Sequence, residues 1–142
     1  MDEKSQKQMA KMVDAVQPHC DEQIVAAMTC SHSGSMKSAL VGSVLGGLIG
    51  GAGSSCDLPN PVFIAVGPEA IYAYDYKPKG FNYKIKKQVA RWPRDEITVE
   101  TERGSGMARL VLTTKTGETY PLEMATAMGG GTLVDAFFQA MG

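Results

Sequence analysis

The chain has 142 residues, 44% of them hydrophobic and 20% charged, with 14 Lys and Arg against 15 Asp and Glu. That length suits one globular domain around one hydrophobic core. A formal net charge of -1 gives no global attraction to nucleic acid or anionic lipid, so no nucleic-acid partner is expected and any anionic partner must be held locally.

Asp2 to Gln17 reads as an amphipathic helix, because Met9, Met12, Val13 and Val16 recur at helical spacing while Lys4, Lys7, Lys11 and Asp14 occupy other faces. Asp2 and Glu3 suit the positive end of its dipole, and Pro18 marks the stop. Gln23 to Cys30 is short, apolar and partly β-branched, which predicts a first strand. Ser38 to Cys56 is uncharged, with Gly42, Gly46 and Gly50 at spacing four. As a helix it presents a small-residue stripe for close backbone approach; otherwise it is a loop.

From Pro61 the pattern turns to strands. Val62 to Val66 is a continuous apolar run ended by Gly67-Pro68. Ala70 to Tyr76 alternates, placing Tyr72, Tyr74 and Tyr76 on one face and Ile71 and Ala73 on the other. A turn at Pro78-Lys79-Gly80 leads into a strand over Asn82 to Ala90. Ile97, Val99 and Thr101 alternate with Thr98, Glu100 and Glu102; Leu110 and Leu112 continue the pattern; Thr116-Gly117 turns the chain; and Tyr120, Leu122 and Met124 face one way. The end is a helix, with Thr132 as N-cap, Asp135 three residues on, and Leu133, Val134, Phe137, Phe138 and Met141 forming the apolar face.

About seven short strands followed by a C-terminal amphipathic helix is the element order of the pleckstrin-homology (PH) superfold. Val62-Phe-Ile-Ala-Val66 followed by Gly67 to Tyr74, then Trp92-Pro-Arg-Asp-Glu-Ile97, then the helix from Thr132 to Met141 resemble the bacterial PH-like group. The resemblance implies a mainly β fold with flanking helices (α+β): a barrel of about seven antiparallel strands closed by the C-terminal helix. It covers residues 22–142 as a single domain, preceded by the helix within 1–18 and interrupted by the glycine-rich insertion 38–56. PH domains that grip phosphoinositides carry a basic cluster between strands one and two. Here that connection is the insertion, with only Lys37 nearby, so the resemblance implies the scaffold and not the lipid.

The residues offer little catalytic chemistry. His19, Cys20, Cys30, His32 and Cys56 hold every Cys and His, but no C-x-x-C pair exists and the spacing does not predict a metal site. Ser33, Ser35 and Ser38 lie near His32 without a G-x-S-x-G elbow, and no lysine follows a glycine in Gly42 to Gly53 as a P-loop needs. Three cysteines and a charged N-terminus without a signal-peptide core predict free thiols and a cytoplasmic setting.

The strongest functional pattern is charge. Lys77, Lys79, Lys84, Lys86, Lys87, Arg91 and Arg94 stand between Lys77 and Arg94 with no acidic residue among them, interleaved with Phe81, Tyr83 and Trp92. Such a hairpin suits an anionic surface, with Lys84, Lys86, Arg91 and Arg94 as the binding residues; the plainer reading is a solvated strand whose lysines discourage aggregation. The expectation is a non-catalytic binding or self-assembly module with no cofactor and no metal. Its partner is a protein or a second copy, with weak anionic-membrane contact open, and Gly42, Gly46 and Gly50 are the candidate packing residues. The alternative is a membrane-associated protein anchored or oligomerised through 38–56.

Overall fold

The computed structural model describes residues 3–32, 58–59, 61–80, 82–104, 106–126 and 130–141. The glycine segment 38–56 lies outside the described residues, and with it Gly42, Gly46, Gly50 and the packing and anchoring roles expected of them.

The described residues form helix α1 (Glu3–Val16), a 3-10 turn (Gln17–His19) and strands β1 (Ala26–His32), β2 (Val62–Val66), β3 (Ala70–Lys79) and β4 (Asn82–Pro93). A second 3-10 turn (Arg94–Glu96) leads to β5 (Ile97–Arg103), β6 (Met107–Thr114), β7 (Thr119–Ala125) and helix α2 (Gly130–Met141). Every strand pairing is antiparallel, and the order across the sheet is β4-β3-β2-β1-β7-β6-β5. Two meanders, β1–β4 and β5–β7, are therefore joined where the end of β1 leaves β2 and pairs with β7 at Ser31↔Glu123.

The expected closed barrel is corrected: the sheet is open, with β4 and β5 as its edges. Against β3, β4 shifts register between Ala73 and Tyr74 and again between Tyr74 and Tyr76. Such bulges bend and twist a strand, and the exposed lysines of β4 offer no apolar seam to close on.

Cross-strand rows explain why β2 is buried along its whole length. The row Thr29↔Phe63↔Tyr74 puts one face under α1, where the Phe63 ring sits 5.6 Å from Tyr76 and 5.7 Å from Tyr83 and Gln8 donates to the Tyr83 hydroxyl. The row Ala26↔Val66↔Ile71↔Trp92 faces the other meander, where the Trp92 and Tyr120 rings lie 5.2 Å apart. The expected tyrosine face is thus the one α1 covers. Helix α2 packs on β1, β7 and α1, with Leu133, Val134, Phe137 and Met141 buried.

Four local expectations shift. Strand β1 starts three residues later than expected, because the Gln17 amide donates to Glu22 O (2.8 Å) and accepts from Ile24 N (2.9 Å), holding that stretch as a connection. Thr132 is not the cap: α2 begins at Gly130, the Thr132 hydroxyl lies 2.6 Å from Ser5 Oγ, and Asp135 pairs with Arg103 at 2.7 Å. Phe138 is only partly buried beside a fully buried Phe137. Pro78 and Lys79 belong to β3, and the turn falls at Gly80, whose φ of 60° suits a residue without Cβ.

Candidate functional site

The basic run lies on the β3–β4 hairpin and the corner that follows it, and the structure divides it in two. At the tip, the register sets Lys77 directly opposite Lys84 and Lys79 opposite Asn82. Lys77, Lys79, Lys84, Lys86 and Lys87 are all exposed. Ile85 between them is buried and opposite Tyr76, so alternation sends Lys84 and Lys86 away from the face α1 covers. Directly opposed like charges destabilise a hairpin. Among the described residues none of these five lysines has an ion-pair partner.

At the corner the two arginines are engaged. Arg91 lies 5.7 Å from the centre of the Tyr72 ring, in cation–π range, and its row partner is Tyr72 itself. Arg94 donates through Nη1 to Gly67 O (3.1 Å) and through Nη2 to Ala140 O (3.1 Å) and Met141 O (2.6 Å). It ties the last turn of α2 to the β2–β3 turn, where a cation also suits the negative helix end. Of the four expected binding residues, Lys84 and Lys86 stand together without an ion-pair partner among the described residues, Arg91 stacks on Tyr72 on the other face of the strand, and Arg94 faces the protein.

A groove of about 550 Å³ runs between α1 and the start of β4, lined by Lys7, Ala10, Lys11, Asp14, Ala15, Asn82 and Tyr83. Two further lysines thus reach the hairpin end of the molecule from α1. Lys7 is held 3.3 Å from the exposed Glu3 one helical turn earlier, a contact worth little in water.

The two described thiols, Cys20 and Cys30, are not arranged for attack. Cys20 Sγ lies 3.0 Å from the Tyr74 hydroxyl, which donates to His19 O at 3.0 Å with Gln88 Oε1 3.3 Å away. Burial pushes the Cys20 thiol above its ordinary 9.0, and burial pushes Cys30 higher still. A nucleophilic cysteine needs the opposite shift. Among the described residues no three His, Cys, Asp or Glu side chains come close enough to hold a metal ion. No helix among them is long and apolar enough to cross a membrane.

Two arrangements escaped the sequence. The row Glu102↔Arg109↔Glu123 places opposite charges on neighbouring strands, and Arg109 (4% exposed) and Glu123 (0%) are buried although alternation put them opposite the apolar Leu110 and Leu122 face. Buried charges need such company. Glu22 accepts from Glu69 N (3.2 Å) and Ala70 N (3.1 Å), and its carboxylate fills the space beside Gly67 that a Cβ needs. Neither pairing shows in residue spacing, since both depend on register and on a distant loop.

No protein-family profile matches the chain. No curated protein matches it. Among solved structures it is similar to Vav1 bound by an allosteric inhibitor, at 13% identity and a TM-score of 0.47, over 97% of this chain and 34% of that one. The chain spans about a third of the length of that protein, a likeness too slight to assign an activity.

Proposed function

We propose that the chain is a non-catalytic binding module on a PH-like scaffold, and that the tip of its β3–β4 hairpin engages an anionic surface. The single observation that carries this reading is the opposed pair Lys77↔Lys84, with Lys79, Lys86 and Lys87 exposed around it and none of the five in an ion pair among the described residues. A hairpin selected only for stability gains nothing from that arrangement. The element order of seven antiparallel strands followed by a C-terminal helix supports the PH-like scaffold.

The binding residues are Lys84 and Lys86, with Lys77 and Lys79 across the hairpin, while Arg91 lies on the other face of β4 over Tyr72. Arg94 is set aside, because the α2 and Gly67 carbonyls occupy its donors. Each lysine at an anionic membrane contributes about 1 kcal/mol, so attachment is weak and salt-sensitive. The test is cosedimentation with phosphatidylserine vesicles and, separately, binding to a polyglutamate peptide, both at low salt. The double variant Lys84→Glu/Lys86→Glu should lose binding with an unchanged melting curve. A parent protein that binds neither probe would overturn the reading.

A further inference from the structure

The two open edges of the sheet carry opposite charge. Strand β4 bears Lys84, Lys86, Lys87 and Arg91 and has no acidic residue from Asn82 to Pro93. Strand β5 and the turn before it bear Asp95, Glu96, Glu100 and Glu102, with no cation from Asp95 to Glu102. Asp95, Glu96 and Glu100 are exposed, and among the described residues none of the three has an ion-pair partner. Arg103, which ends β5, is already held by Asp135.

We propose that β4 of one copy adds to β5 of a second copy, joining chains head to tail through their sheet edges. This rests on the reading that the hairpin cations engage an anionic partner, and it names that partner as the chain's own acidic edge. Edge strands present unpaired N–H and C=O groups, and strand addition satisfies them. The charges then select the pairing. Joining β4 to β4, or β5 to β5, sets like charges against each other, whereas joining β4 to β5 sets unlike charges together. Lysine on an edge strand ordinarily blocks association, and an acidic edge is the surface that lifts the block.

A second difference between the edges accompanies the charge. Val89, on β4 at a register shift, is a large apolar side chain left exposed, at 37%. Beside β5 opens a cleft of about 390 Å³ lined by Ile71, Ile97, Val99 and Met141 together with Arg94 and Thr98. An exposed apolar side chain thus sits on the basic edge, and a cleft of mixed polarity lies beside the acidic one. Because the two surfaces differ, the contact is heterologous and builds rings or filaments instead of a two-fold dimer.

Sedimentation velocity of the full chain over a range of concentrations tests this. At low salt the sedimentation coefficient should rise with concentration, and high salt should return it to the monomer value. Lys84→Glu/Lys86→Glu leaves β4 with two acids against Lys87 and Arg91, and Glu96→Lys/Glu100→Lys leaves two cations against Asp95 and Glu102, so each variant cancels the charge of one edge and should stay monomeric alone. Their equimolar mixture should regain assembly, since each supplies the edge the other lacks. Should either variant fail to fold, Lys84→Gln/Lys86→Gln and Glu100→Gln should still weaken the concentration dependence. A mixture that stays monomeric overturns the proposal. So does a parent that is monomeric at every concentration at low salt; if that parent still binds phosphatidylserine vesicles, self-pairing fails and the binding reading stands.

Discussion

The corner at Trp92–Arg94 and the tip at Lys77–Lys87 belong to one basic, aromatic stretch, yet they do opposite things. At the corner, Trp92 packs on Tyr120 across the two meanders and Arg94 is bonded to three carbonyls. At the tip, the lysines are exposed and two of them oppose each other. Cations near the core are spent on backbone oxygens, and those beyond it are left for something outside the chain. A count of basic residues along the sequence overstates the surface available for binding.

The sharpest test of the corner is the helix it holds. Phe137→Ala removes a fully buried ring from α2 and should destabilise the protein by about 3–5 kcal/mol, measured by denaturant unfolding. Phe138→Ala, at a partly buried site, should cost less than half as much. Equal losses would mean that α2 presents a different face to the sheet.

Next in size is the clamp itself. Arg94→Ala strips three carbonyls of a charged donor and should cost about 1.5–3 kcal/mol. Arg94→Lys should recover little of it, since a single ammonium does not reproduce the planar fork. Vesicle binding by either folded variant should match the parent, and a loss there with stability intact would move Arg94 back into the binding surface.

Raising the pH probes the packed side by another route. Burial raises Cys20 and Cys30 above 9.0 and Tyr72 and Tyr74 above 10.0. These groups keep their protons in the folded chain after the unfolded chain has lost them. The unfolded state therefore binds fewer protons from pH 9 upward, and stability falls as pH rises through the folded values. Unfolding midpoints at pH 7, 9 and 10.5 should decline in that order, and a flat profile would contradict the burial of these side chains.

The smallest effect belongs to the tip. Lys77→Ala removes one member of the opposed pair from an exposed site, so stability should change by no more than about 0.5 kcal/mol and in the favourable direction. A clear loss of stability would show that the lysine stems pack on the hairpin, and the contrast with the corner would shrink.

Much of the fold was legible because its signals are local. Val62 to Val66 reads as a strand and is one, the tyrosines at 72, 74 and 76 share a face by alternation, and Thr116-Gly117 turns the chain between β6 and β7. Helical spacing likewise placed Met9, Met12 and Val16 in the core. Each of these follows from side-chain period or from backbone freedom within a few residues.

Composition and period by themselves determined a β-rich domain between two amphipathic helices, with a basic stretch before its fifth strand. Only the tertiary structure decided which cations are free. Arg94 meets Ala140 and Met141 forty-six and forty-seven residues away, and Arg109 meets the Glu102 and Glu123 rows through register alone. It also decided that the sheet stays open, with a basic edge at β4 and an acidic edge at β5. Local sequence carries the period of a strand but not the identity of its neighbour, and a charge acquires its role from the neighbour.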